Sequence, residues 1–262
     1  MRRRAATLLT LGAATPVLTG CGASNAIDPA VVANAADRTA GAGEARMAMT
    51  VQAAGQTIRG DGLMDLGGKR FAMTMQLAGA GQMEMRYLGQ VIYMHLPAGA
   101  RTGLPSGKPW LKLDLGRLLQ RRGIDLSSLQ STTGGNPSDT IQQLRGAGDV
   151  RKVGTETVRG VSTTHYEATV DLRRAMAKLP PNGRASLQRL IKATGRPTIP
   201  VDVWIDGQGR LRRERFAQRI RGQQVSGTIE LYGFGDNQAI VSPPAGQTAD
   251  VTSRIPASAL GG

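Results

Sequence analysis

The feature that most constrains this chain is a period of two in its apolar residues. Met47, Met49 and Val51 alternate with Ala48 and Thr50. Phe71, Met73, Met75 and Leu77 alternate with Ala72, Thr74 and Gln76, and Met83, Met85 and Tyr87 with Glu84 and Arg86. Ile92, Met94 and Leu96 continue the series. Strict alternation belongs to strands with one face buried and one wet, and hence to antiparallel sheet. Gly55, Gly67-Gly68, Gly79 to Gly81 and Gly89 break the series at hairpin spacing. Trp110 to Leu115 is a further strand, and Val150–Val158 with Val161–Leu172 a hairpin around Gly160. Ile199–Ile205, Leu211–Ile220 and Val225–Phe234 are the last three strands, the first two joined by Asp206-Gly207-Gln208-Gly209.

Helical segments interrupt this order. Asp28-Pro29 opens a helix, the acid as its cap and the proline at its first position. Val31, Val32, Ala35 and Ala36 give it an apolar stripe. Asn136-Pro137 opens another, to Arg145. Arg184–Thr194 is a third, with Leu187, Leu190 and Ile191 on one face. About ten strands with no Pro/Ser linker between them imply one α+β domain over residues 28–242. It is a large, curved antiparallel sheet with helices packed on one face. Residues 243–262, rich in Pro, Gly, Ser and Ala, are expected to form an irregular tail.

The N-terminus is an address. Residues 1–20 run from Arg2-Arg3-Arg4 through a short apolar stretch to Leu18-Thr19-Gly20, followed by Cys21. A basic start, an apolar run too short for a permanent span and small residues at the cut make an export signal. Leu-Thr-Gly-Cys resembles a bacterial lipobox, and Cys21 is the chain's one cysteine. The lipobox implies cleavage before Cys21 and a diacylglyceryl group on its thiol. Added acyl chains give stable anchoring where one is marginal. Residues 21–27 are then a lipidated tether, and the domain lies outside the cytoplasm, held to the cell membrane.

Composition closes off several chemistries. One cysteine excludes an internal disulfide framework and a cysteine-based zinc site. The two histidines, His95 and His165, lie far apart in sequence, and each is expected to be a strand-surface residue. No Gly-X-Ser-X-Gly elbow, His-Glu-X-X-His pair or phosphate loop occurs. The residues therefore imply no enzyme, no metal and no cofactor. A net charge of +14 suits nucleic acid, but aromatics make up only 3% of residues and no stacking series exists.

Two composition features remain. Of ten methionines, eight (Met47, Met49, Met64, Met73, Met75, Met83, Met85 and Met94) fall within residues 47–94 at strand-alternate positions. Thioether side chains are flexible and polarisable, and suit a surface that fits variable apolar partners. The alternative is an ordinary sheet core built from methionine. The run Arg210, Arg212, Arg213, Arg215, Arg219 and Arg221 contains one acid, Glu214. In a strand, Arg213, Arg215, Arg219 and Arg221 share a face that attracts anionic headgroups. The alternative is a solvated outer face.

The segments Ile199-Pro200-Val201-Asp202-Val203-Trp204-Ile205-Asp206-Gly207-Gln208-Gly209 and Leu231-Tyr232-Gly233-Phe234-Gly235-Asp236, taken with the lipobox, resemble the LppX/LprG/LprA/LprF lipoproteins of mycobacteria. More broadly they are similar to the carrier LolA and the sensor domain RseB. The resemblance implies a half-barrel whose concave face, covered by helices, binds acylated lipids or lipoglycans and moves them toward the outer envelope. It implies a cavity lined by Met47, Met49, Phe71, Met73, Met75, Met83, Met85, Leu187, Leu190, Ile191, Val203 and Ile205. The protein would be a monomer that receives or delivers cargo with a membrane lipid exporter. The alternative is an envelope sensor or scaffold of the same fold that binds a protein partner without lipid cargo.

Overall fold

The computed structural model describes residues 26–67, 70–77, 79, 81–101, 107–120, 141, 143–178, 181–220, 222–236 and 238–254. Among the described residues thirteen strands form a single sheet. They are β1 (Ala26–Ile27), β2 (Glu44–Ala53), β3 (Gln56–Asp65), β4 (Arg70–Leu77), β5 (Gly81–Leu88), β6 (Val91–His95) and β7 (Trp110–Asp114). Then follow β8 (Ala147–Val158), β9 (Val161–Asp171), β10 (Thr198–Asp206), β11 (Leu211–Ile220), β12 (Gln223–Tyr232) and β13 (Thr248–Asp250). The spatial order is β1-β8-β9-β10-β11-β12-β2-β3-β4-β5-β6-β7-β13. Every neighbouring pair is antiparallel except β13 with β7. The sheet is open and curved, as the alternation implied, and forms the α+β half-barrel that the resemblance implied.

The strand count exceeds the expected ten, and the reason is local. β3 carries Gly60 and Gly62 at positions that face the core, so no apolar alternation marks it in the sequence. β1 and β13 are two- and three-residue edge strands, too short to show a period. β13 lies in the segment expected to be irregular, and β1 in the segment expected to be a tether.

Four helices accompany the sheet among the described residues: α1 (Ala30–Ala40), α2 (Leu115–Gln120), α3 (Leu172–Lys178) and α4 (Pro181–Thr194). At the start of α1 the Asp28 carboxylate accepts the Ala30 N–H at 2.9 Å. The helix expected from Asn136 falls largely outside the described residues. α1, α3 and α4 pack on one face, over β8, β9 and β11. That face holds one continuous apolar core running from Val32 and Ala36 through Val170, Val203 and Leu231 to Met47, Met64 and Met73.

α1 closes one end of the half-barrel. Thr39, fully buried, donates its hydroxyl hydrogen to the Ala35 carbonyl and accepts the Leu211 N–H at 2.8 Å. The β2–β3, β4–β5 and β11–β12 turns all lie at the opposite end.

Candidate functional site

The register fixes what the core face presents. Met47 pairs with Gly62 and Met49 with Gly60 across β2–β3. Gly62 pairs with Met73 and Gly60 with Met75 across β3–β4. Met73 pairs with Met85, Met75 with Met83, and Met85 with Met94. Met64 sits opposite Ala45 and Phe71. All eight methionines of the cluster therefore project from the same face, the one that carries α1, α3 and α4. The glycines make room for them, since a Cβ on Gly60 would stand 3.1 Å from the Met73 sulfur. Met73 lies across a strip of bare backbone.

Burial is graded along this face. Met47 and Met64 are fully enclosed and Met73 nearly so. Toward the open end, Met49, Val51, Ile58, Met75, Leu77 and Met83 are only half-buried. On the other side of the opening, Phe216 and Val225 are half-buried, as are Leu190 and Ile191 of α4. The face is thus packed around Met47, Met64 and Met73 and half-buried toward the β2–β3 and β4–β5 turns and along β5 and β6, where Met85 and Met94 lie. Leu187 is buried, and Val203 and Ile205 belong to the closed half of the core. α4 packs on β11 and α3.

A hollow adjoins this lining through Leu190 and Phe216. It is a cavity of about 110 Å³ between α4 and strands β9 to β11, walled by Val170, Leu190, Ile199, Val201 and Phe216. Gln143, Glu214 and Gln218 are its polar walls among the described residues. Glu214 is 3% exposed, and burial pushes its carboxyl up to about 8. Among the described residues, its Oε2 and the Gln218 Oε1 have no hydrogen-bond partner. Gln218 also borders an open groove of about 650 Å³ whose rim carries Lys192, Arg196 and Arg219. The groove's sheet residues Thr198, Pro200, Ala217, Arg219 and Gln224 alternate with the core-facing positions, so the groove opens on the outer face and shares Gln218 with the cavity.

The other face is built differently. Trp204, His165, Glu156, Asp202, Arg213 and Arg215 form one hydrogen-bonded and stacked cluster there. His165 was expected at the strand surface and is instead 6% exposed, because the indole and two carboxylates enclose it. His95 is half-buried, edge-on to Trp110 at 5.2 Å. Arg213 pairs with Glu230 and Arg215 with Asp202, whereas Arg219 lies at the rim of the open groove. Arg210 and Arg212 both bind Asp206. Burial alone would raise that carboxyl. The Arg210 backbone N–H and the two guanidinium groups outweigh it and hold Asp206 below the ordinary range. Cys21 and Arg221 lie outside the described residues.

Sequence reasoning missed Glu214 and Gln218. The signal was available, since Glu214 is the single acid of the arginine run. A bulge opposite Trp204/Ile205 hid its direction by shifting the alternation between Leu211 and Arg213. Among the described residues, no cluster of His, Cys, Asp and Glu suits a metal ion. Among them also, no helix is long and apolar enough to cross a membrane.

No family model matches the chain. It is 28% identical over 182 residues to an uncharacterised 31.2 kDa protein of Streptomyces griseus, covering 67% of this chain and 58% of that protein. It is also 28% identical over 212 residues to a Streptomyces coelicolor protein provisionally named a lipoprotein, covering 77% of this chain and 65% of that one. The chain therefore spans less than two thirds of the length of these curated relatives. Among solved structures it is similar to LprF from Mycobacterium bovis, with a TM-score of 0.51 and 12% identity over 83% of this chain and 97% of that one. The lipoprotein LppX of Mycobacterium tuberculosis gives 0.48 and 16%, over 82% of this chain and all of that one. The likeness to LprF is one of fold: this chain has its half-barrel.

Proposed function

We propose that this chain, built on the fold it shares with LprF, is a cell-envelope lipoprotein that holds the acyl chains of a lipid or lipoglycan against its methionine face. The observation that carries the reading is the graded burial of that face. Met47, Met64 and Met73 are packed, while Met49, Met75 and Met83 stay half-buried at the open end. An apolar surface left half-open has an unmet hydrophobic driving force. Each methylene it covers contributes about 0.8 kcal/mol, so a chain of a dozen carbons offsets much of the cost of leaving a bilayer. Met side chains adapt to chains of different length and unsaturation.

The reading requires no bond chemistry, so no residue is assigned a catalytic role. Anchoring would come from a diacylglyceryl group on Cys21. Docking on an anionic bilayer would fall mainly to Arg219 with Lys192 and Arg196 at the rim, since Arg213 and Arg215 already pair with carboxylates. Such docking should weaken with salt, because charges beyond about 10 Å are screened at 0.1 M. The hand-over partner would be a membrane lipid exporter.

Native mass spectrometry of the protein purified from its own host tests the proposal. The expected result is a co-purifying mass of one acylated lipid per chain, released by organic extraction. A protein that carries no lipid and takes up no hydrocarbon probe would overturn the carrier reading.

A further inference from the structure

The buried acid Glu214 has no evident structural use. It sits in β11 between Val203 of β10 and Ile229 of β12, its cross-strand neighbours. It faces a cavity whose other described walls are apolar apart from Gln143 and Gln218. An ordinary core would place Leu or Val there. A buried polar atom without a partner costs about 1–3 kcal/mol, and among the described residues Oε2 of Glu214 and Oε1 of Gln218 are both unpartnered around one hollow. At about 110 Å³ the hollow exceeds what a single water needs and is too small for a whole ligand. It is the size of a subsite. Leu190 and Phe216 belong both to the hollow and to the apolar lining, so the hollow is where the polar end of chains held on that lining would fall.

We propose that Glu214 and Gln218 form a hydrogen-bonding subsite for the ester linkage of an acylated lipid, Glu214 donating its carboxyl hydrogen to an ester carbonyl and Gln218 accepting a hydroxyl of the headgroup. The proposal rests on the carrier reading and adds what the carrier selects. The chemistry of the walls supports it. No charged side chain other than Glu214 is among the described residues that line the hollow, so no opposite charge there stabilises a carboxylate. Burial therefore holds the group protonated at neutral pH, where it is a donor. An ester carbonyl only accepts. A diether lipid, which lacks the carbonyls but keeps the chains and headgroup, leaves the donor unmatched.

The experiment compares three probes on the purified full chain: diester phosphatidylglycerol, diether phosphatidylglycerol with the same chain length, and a pyrene-labelled hydrocarbon. The unaltered protein should prefer diester to diether by about three- to tenfold, the worth of one hydrogen bond. Glu214→Gln keeps a donor and should keep the preference. Glu214→Leu should lose the preference and still bind the hydrocarbon. Raising the pH above about 8 should abolish the preference in the unaltered protein, because a carboxylate cannot donate. This arm needs no variant to fold. Equal binding of diester and diether, or a preference that survives Glu214→Leu, overturns the subsite and leaves the carrier standing. Failure of all three probes to bind overturns the carrier reading and this one with it.

Discussion

The indole of Trp204 lies flat on the imidazole of His165, with ring centroids 4.2 Å apart and planes 10° from parallel. The two residues are directly opposite each other across β9 and β10. Glu156 of β8 binds both, accepting the Trp204 Nε1–H at 2.8 Å and lying 3.0 Å from His165 Nδ1. Asp202 meets the other ring nitrogen at 2.8 Å. Arg213 and Arg215 cover the outer side of the indole, 5.2 and 5.4 Å from its centre. Four strands, β8 to β11, are thereby fastened from the face away from the helices. The opposite face can remain half-packed at its open end without the sheet losing its shape.

Replacing Trp204 isolates this fastening. The indole N–H is the main cause that holds the Glu156 carboxyl below its ordinary value, with burial opposing and His165 and Arg213 adding smaller attractions. Trp204→Phe should therefore raise the Glu156 titration toward 4.5, read by carboxyl-carbon NMR. Trp204→Ala also removes the stack and leaves a void, and should destabilise by about 3–5 kcal/mol in chemical denaturation. A Glu156 titration unmoved in Trp204→Phe would mean that the hydrogen bond does not form in solution.

The pH dependence of stability should carry two opposite signatures. Glu214 has a raised folded value of about 8 against an ordinary 4.5, so the folded state keeps a proton that the unfolded state releases. Stability then falls as pH rises from about 4.5 to about 8, by at most about 1.4 kcal/mol per pH unit. Asp206, Glu230 and Asp250 behave oppositely. Burial raises each, but bonds to arginines or, for Asp250, to Thr252 and then Lys112 and Arg117 prevail, and all three are held low. Their contribution is present above the ordinary carboxylate range and is lost as the pH falls below it. Melting temperature should therefore peak near pH 5. In Glu214→Leu the decline from pH 5 to 8 should vanish while the acid limb remains. A variant that retains the neutral-range slope would show that Glu214 is not its source.

Gly62 tests whether the bare strip on β3 is needed. A Cβ there would stand 2.1 Å from the Ala72 carbonyl oxygen, which is backbone and cannot rotate aside. Gly62→Ala should destabilise by about 1–3 kcal/mol, or about 2–12 °C in melting temperature for a domain of this size. Gly60→Ala meets the Met73 sulfur at 3.1 Å and the Thr74 carbonyl at 3.2 Å, so the flexible thioether gives first and the loss should be smaller. Equal melting temperatures for the two variants would contradict this.

These residues also mark how far the sequence was legible. Strands whose inward positions carry Met, Phe, Val or Ile announced themselves by period, and their register put the methionines on one face. β3 was silent because glycine leaves no hydropathy signal where a neighbour's side chain takes the space. Glu214 was visible as an odd acid among arginines, yet its inward direction depends on one bulge, which spacing does not encode. His165 was misread because its partners Glu156 and Asp202 lie 9 and 37 positions away, and only strand pairing unites them. The shared face of the methionines was legible from periodicity; the polar features needed tertiary register.

The methionine face itself separates a packed core from a ligand lining, because its two ends should respond differently to the same change. Met47 is fully buried opposite Gly62, with Leu231 on its other side. Met83 is half-buried opposite Met75 at the open end. Trp at position 47 has no free volume to enter and should overpack, at about 1–3 kcal/mol. Trp at position 83 can occupy space that the carrier reading assigns to acyl chains. Met83→Trp should therefore melt within about 2 °C of the unaltered protein, in keeping with a change of under about 1 kcal/mol, yet take up several-fold less fluorescent lipid. Measured on the same samples, Met47→Trp should show a lowered melting temperature as its primary defect. If Met83→Trp melts as early as Met47→Trp, the open end is packed core and the lining has no room for a chain. If it melts normally and binds lipid undiminished, the chains lie elsewhere on the protein.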